Sequence, residues 1–352
     1  MNDTPETLVR ETLDVEPTAT ERGAVWQTIV ERLEAAEAPP ARRPVRRLFA
    51  VAVAAAAAAA VLLLAADERG APVPATASAA EVLNATATSA RTALPGVGPG
   101  EYLYTRASHA VTGEGAITVD TESWTATDGT ALIVDRDGRA RSTTRYRAGS
   151  AVGVVTEKGR RTRTLPPQLS PNWRYVVAGD QIASLPAEPS ALLASLRARA
   201  EPAARLYAQP RPEGYFPRID RTYELAGPDM LVVETTTALL VEAPLSPGQR
   251  AAMLSLLAAA PEWYRPGASA EPIRIRNLGA TQDALGRDGI ALRFTLELTS
   301  DETRGAGSGT FDLVLDPEAG RLLETRSYEH GAAAAPVLLT IEEQHVVDSI
   351  DG

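Results

Sequence analysis

The sequence predicts an α+β protein: a curved antiparallel sheet packed on helices, preceded by one transmembrane helix and a short helical cytoplasmic segment. Three observations carry this. Leu48 to Ala66 are nineteen consecutive uncharged, apolar residues. Ile290, Leu292, Phe294, Leu296 and Leu298 alternate with Ala291, Arg293, Thr295, Glu297 and Thr299, the period of a strand with one face buried and the other wet. Neighbouring strand-like runs are joined by tight turns, which connect antiparallel strands.

Residues 1–47 read as two short helices. Thr4 before Pro5 and Glu6 has the form of an N-cap with proline at the first helical position, and Leu8, Val9 and Leu13 form its apolar stripe. Thr18 and Glu21 have the spacing of a capping box, and beyond them Val25, Trp26, Ile29, Val30, Leu33 and Ala36 recur at helical spacing. Residues 1–40 hold nine acids and three arginines, and so short a piece cannot bury that stripe by itself. Two readings stay open. Either the helices pair or lie on the membrane surface, or Val25, Trp26, Ile29 and Leu33 dock on a basic cytoplasmic partner while Glu31, Glu34 and Glu37 steer its approach.

Residues 48–66 span roughly 28 Å as a helix, close to the hydrocarbon thickness of a bilayer. Eleven of the nineteen are alanine, so the leucines, valines and Phe49 supply the insertion energy. Arg42, Arg43, Arg46 and Arg47 on the N-terminal flank place residues 1–47 in the cytoplasm and the rest outside, and the same arginines can touch lipid headgroups. A cleaved signal peptide, with candidate cleavage sequences around Ala75 to Ala79, is disfavoured by the long leader. A twin-arginine signal is disfavoured by Val45, and a buried core helix by the lack of any polar face. The expected location is the cell membrane, single-pass, with the C-terminal domain extracytoplasmic.

Residues 67–78, with two prolines and small side chains, form a linker, and residues 79–352 form the outer α+β domain. Ala79 to Ala93 has helical character. Strands are expected over Glu101 to Arg106, Thr130 to Asp135, Arg139 to Arg147 and Ala151 to Glu157, with a hairpin at Asp137–Gly138. Ser190 to Ala200 is an amphipathic helix, followed by a proline-rich loop from Pro202 to Pro217. Pro228 to Val241 is read as a helix, although its valines and threonines favour a strand. Ser246–Pro247 opens a clearer helix with Met253, Leu254 and Leu257 inward. Asp288–Gly289 is a turn before the 290–298 strand; further strands follow around Phe311 to Leu315, Arg321 to Tyr328 and Val337 to Val347.

Composition narrows the function. Net charge is −10, and no stretch after the anchor combines dense basic charge with interleaved aromatics, so no direct nucleic-acid binding is expected. There is no cysteine, hence no disulfide, no lipidated cysteine and no thiolate zinc site. His109, His330 and His345 have no metal-ligand spacing and are expected at strand ends or on solvated faces. Glu342 and Glu343, adjacent on a strand, are expected on opposite faces, which defeats a paired-carboxylate reading. Gly305, Gly307 and Gly309 around Ser308 form no nucleophile elbow. Neither an enzyme, nor a cofactor, nor a metal site is expected.

The order of parts resembles a family of actinobacterial single-pass membrane proteins encoded beside extracytoplasmic-function sigma factors. The resemblance is carried by the arginine-flanked, alanine-rich anchor, by Gly100-Glu101-Tyr102-Leu103-Tyr104, and by Trp124 with Asp128-Gly129. Leu185-Pro186 before the Leu192 helix, Asp283 to Gly289, and Asp316-Pro317 with Gly320 extend it. It implies an anti-sigma-like regulator whose outer domain is similar to the half-barrel of lipoprotein-sorting proteins. The chain departs from the zinc-binding anti-sigma pattern, because residues 1–47 hold no His or Cys. The function expected is a transmembrane regulator whose outer domain senses an apolar or protein ligand while the inner helices hold a sigma factor. The alternative is an anchored extracytoplasmic carrier for an apolar ligand.

Overall fold

A computed structural model describes residues 77–93, 95–111, 117–137, 140–150, 153–157, 160–165, 176–177, 182–207, 227–266, 271–296, 309–328 and 336–350. The proposed inner helices, the apolar segment 48–66 and nearly all of the linker lie outside the described residues. Among those described, no helix is long and apolar enough to cross a membrane.

The architecture is α+β, with eleven strands in one curved, open sheet. Helix α1 (Ala79–Ala93) precedes strands β1 (Tyr102–Val111), β2 (Ile117–Thr125), β3 (Ala131–Asp137), β4 (Ala140–Tyr146), β5 (Gly153–Glu157) and β6 (Arg160–Leu165). Helices α2 (Pro189–Tyr207), α3 (Pro228–Glu242), α4 (Pro247–Ala258) and α5 (Ala260–Trp263) follow, and β7 (Arg274–Gln282), β8 (Asp288–Leu296), β9 (Gly309–Asp316), β10 (Arg321–Tyr328) and β11 (Val337–Val347) complete the chain. The sheet order is β6-β5-β4-β3-β2-β1-β11-β10-β9-β8-β7. Two meanders therefore meet at the antiparallel β1–β11 pair, which aligns Tyr104 with His345, and β6 and β7 are left as edges.

One face of the second meander packs on the helices. Leu292, Phe294 and Leu296 of β8 lie beside Leu313 and Leu315 of β9, all 2% exposed or less, and Phe294 stacks on Phe311 with centroids 4.8 Å apart. Over Ile290 to Leu296 the alternation thus reads the register correctly, while Leu298 lies outside the described residues. Helix α1 packs on α4 through Val82, Leu83 and Ala90. At its start Ser78 and Glu81 form reciprocal side-chain-to-backbone bonds, 2.6 and 3.2 Å, that satisfy two free N–H groups. Helix α4 starts with the same device from Ser246 and Gln249.

Helix α3 is central, buried at ten of its fifteen positions, which explains its missing amphipathic signal. Thr236 and Thr237 return their hydroxyls to the carbonyls of Val232 and Val233, which accommodates them in a helix, whereas the buried Thr235 hydroxyl has no hydrogen-bond partner among the described residues. Its last carbonyls are held from two sides. Arg250 of α4 donates to Leu240, and Gln344 of β11 donates to Val241. Burial pulls the Arg250 guanidinium down to about 10, and the negative end of α3 compensates part of that cost.

Several expectations are corrected. Helix α2 runs through Pro202, whose ring is exposed while Ala200 and Ala203 on either side are buried in the core. Strands β2, β6 and β7 are present where no strand was expected. Asp288 and Gly289 belong to β8; the turn lies earlier, at Ala284–Leu285 with Gly286 at φ +76°. Asp283 organises it by accepting from the N–H groups of Leu285 and Arg287. Gly289 is needed for packing, because a Cβ there would stand 2.8 Å from the Leu315 carbonyl oxygen.

Candidate functional site

The sheet face turned away from the helices carries the polar chemistry. Gln344 Nε2 reaches both the helix carbonyl of Val241 and Thr105 Oγ1, so Gln344 and Thr105 lie on the helix side. By alternation, Tyr104 and His345 lie on the opposite side. There Trp124, Tyr104 and His345, from three adjacent strands, form a continuous aromatic row. The Tyr104 ring is 5.2 Å from Trp124 and 5.1 Å from His345, tilted by 51° and 53°. Burial, and then the charge of Glu122, push the Tyr104 hydroxyl pKa up.

Ion pairs rim the row. Arg136 of β3 meets Glu122 of β2 at 2.8 Å and holds that carboxyl below its ordinary range. Arg106 of β1 meets Glu342 at 2.8 Å and Glu343 at 3.9 Å. This corrects the expectation that the two glutamates diverge. The β1–β11 register shifts between Arg106 and Ala107, and such a bulge sets two residues against one, so both carboxylates reach the same guanidinium. His345 also lies 3.3 Å from Glu343. His109 is partly buried within β1 rather than solvated, and burial lowers its pKa against a smaller opposing effect of Asp135. His330 and Ser308 lie outside the described residues.

Along the second meander the same face holds three buried carboxylates, each satisfied by an arginine. Asp312 takes two bonds from Arg293 and one from the Tyr328 hydroxyl. Glu324 accepts from Arg326, Thr340 and the Ala284 N–H. Asp283 is bridged by Arg287, which also donates to the Ile341 carbonyl. A shallow depression of about 280 Å³ lies between Gln282, Glu324, Arg326, Tyr328 and Leu338. Asp283 and Glu324 hold the β7–β8 turn onto the sheet, while Asp312 ties β8, β9 and β10 together. Among the described residues no three His, Asp or Glu side chains converge on a metal position. The face presents aromatic rings and paired charges.

The residues singled out for partner binding (Val25, Trp26, Ile29 and Leu33) and for topology (Arg42, Arg43, Arg46 and Arg47) all lie outside the described residues. Sequence reading had placed Tyr104 and Trp124 among family signatures without joining them. Their meeting depends on β2, a strand whose polar residues on both faces hid it.

No family model and no curated protein matches the chain. Among solved structures it is similar to a chain of the complex structure of Pseudomonas aeruginosa MucA/MucB, at 13% identity and a TM-score of 0.25, over 76% of this chain. It spans 56% of that chain's length.

Proposed function

We propose that the chain is a single-pass transmembrane regulator, anti-sigma-like in its logic, whose outer α+β domain senses an envelope ligand and whose inner helices hold a cytoplasmic transcription factor. One observation carries the reading. A single arginine-flanked apolar span joins a short acidic segment, with an apolar stripe it cannot bury, to a large folded domain whose first helix begins at Ala79. The face of aromatic rings and paired charges supports a sensing role for that domain. The alternative, a carrier for an apolar ligand, calls for an open apolar concavity. In the second meander the space between sheet and helices is occupied by Leu292, Phe294, Leu313 and Leu315, which weighs against it.

The test is to delete residues 2–41, keeping the arginines, anchor and outer domain, and to compare transcripts with the parent. A discrete set of promoters should change. An unchanged profile, with the truncated protein present in the membrane, would leave the inner segment as a topogenic leader and sink the regulatory reading.

A further inference from the structure

The chain is acidic overall, yet one end of its sheet is not. Between residues 136 and 163 lie nine of its 35 basic residues and only two of its 45 acidic ones. Five of the nine, Arg141 and Arg145 of β4 and Arg160, Arg161 and Arg163 of β6, lie in the last three strands at one edge of the sheet, and Arg136 lies in the neighbouring β3. Thr144, Tyr146 and Val155 are buried on one side of these strands, so Arg141, Thr143 and Arg145 of β4 share the other side with Val154 and Thr156 of β5. No carboxylate stands at those positions. Arg141 and Arg145 are exposed and make no ion pair among the described residues.

The pairing itself points to an anion. Arg141 stands directly opposite Arg136 in the β3–β4 register, and like charges facing each other across strands are destabilising. Glu122 pairs closely with Arg136 and also feels the charge of Arg141, so one carboxylate faces two guanidinium groups and only Arg136 forms an ion pair with it. Arg141 and Arg145 are four residues apart on one strand, about 13 Å, too far to converge on one small anion. Spaced single cations match a chain of repeated negative charges. Tyr146, the one aromatic residue of β4, is 3% exposed and lies on the opposite side from Arg141 and Arg145.

We propose that the outward face of β4 and β5 docks a polyanionic chain of the cell envelope. The spacing of Arg141 and Arg145 along β4 favours such a polymer over a single lipid headgroup. This assignment of ligand rests on the regulatory topology proposed above; the binding itself rests on the outer domain alone.

The experiment uses the full chain in phosphatidylcholine nanodiscs and labelled inorganic polyphosphate as probe. The wild type should bind, with affinity falling steeply as salt rises, and R141E/R145E should weaken binding about tenfold or more at low salt. R141Q/R145Q should weaken it less. R91E/R276E, an equal charge reversal at exposed positions of α1 and the β7 edge, should bind as the wild type does. Absence of wild-type binding, or equal losses in both reversed variants, would overturn the proposal. So would tighter binding of the wild type, lost in R141E/R145E, to discs containing phosphatidylglycerol than to polyphosphate, which would assign the patch to lipid. Reporters of membrane topology answer separately whether the outer domain faces the envelope, so a topology failure and a binding failure are distinguishable.

Discussion

Arg293 and Asp312 face each other on β8 and β9, with Nε and Nη2 of the guanidinium 2.7 and 2.8 Å from the two carboxylate oxygens. Asp312 is almost fully buried, its side chain 2% exposed, and the Tyr328 hydroxyl completes its shell at 2.7 Å. Arg293 also lies over the Tyr328 ring, 4.8 Å from its centroid. Asp312→Ala should therefore cost about 3 kcal/mol, because it strands a half-buried cation and a phenol together. Replacing both Arg293 and Asp312 by leucine should cost clearly less. Thermal unfolding of the three proteins decides it; equal losses in the single and double variants would show that the pair contributes net attraction.

Gly320 ends the β9–β10 turn at φ +62°, and a Cβ on it would stand 2.2 Å from the Ala90 backbone nitrogen of α1. Gly100 has a similar φ of +83° but open space around it. Gly100→Ala should carry only backbone strain, about 1 kcal/mol. Gly320→Ala should cost about 3 kcal/mol or more, since α1 must also move. Amide exchange in α1 should speed up in the second variant alone; equal behaviour of the two would refute this contact.

Phe294→Ala should destabilise the domain by about 3 to 5 kcal/mol, since the ring is fully buried and stacked on Phe311. Thr295→Ala, half-buried on the opposite face, should cost under about 1 kcal/mol. Denaturation midpoints of the two variants check the face assignment.

What could be read in advance follows from how much of each signal is local. Strand β8 was legible because it alternates without interruption, and α4 because proline and its capping serine mark the start. Strand β7 escaped because a register shift between Asn277 and Gly279, with Gly279 at φ +90°, breaks its period. The shared contact of Glu342 and Glu343 with Arg106 depends on a bulge set by the partner strand, which neither glutamate encodes. The basic sheet end was hidden by averaging charge over an acidic chain, though the arginines stood in plain order along 136–163. The aromatic row required three strands to be ordered first, and two of them pair across more than 230 residues of sequence.

Tyr264 gives the domain an alkaline limit. Its phenol is 6% exposed, and burial, then the charges of Asp229 and Glu234, hold its pKa well above the ordinary value of 10.0. The folded state thus keeps this proton to higher pH than the unfolded chain. Above about pH 10 the unfolded state binds fewer protons, and stability falls as pH rises further. Tyr264→Phe should flatten the decline between pH 10 and 12 in melting experiments. An unchanged slope would assign the alkaline loss to other groups.

The inner helix is where the regulatory reading is most exposed to refutation. If the stripe of Val25, Trp26, Ile29 and Leu33 is the docking face, Trp26→Ala should weaken the cytoplasmic association by roughly 2 kcal/mol or more, as a central buried aromatic does. Reversing Glu31, Glu34 and Glu37 to lysine should act differently, slowing association chiefly at low salt, because exposed charges steer the approach and contribute little once contact is made. The melting midpoint of the outer domain should not move in either variant. The decisive comparison is capture from membranes of the parent strain with wild-type and Trp26→Ala chains as bait, followed by the association rate of the recovered transcription factor. Equal recovery with both baits would mean that the tryptophan rests on the bilayer or on its neighbouring helix, and the inner segment would then serve topology alone.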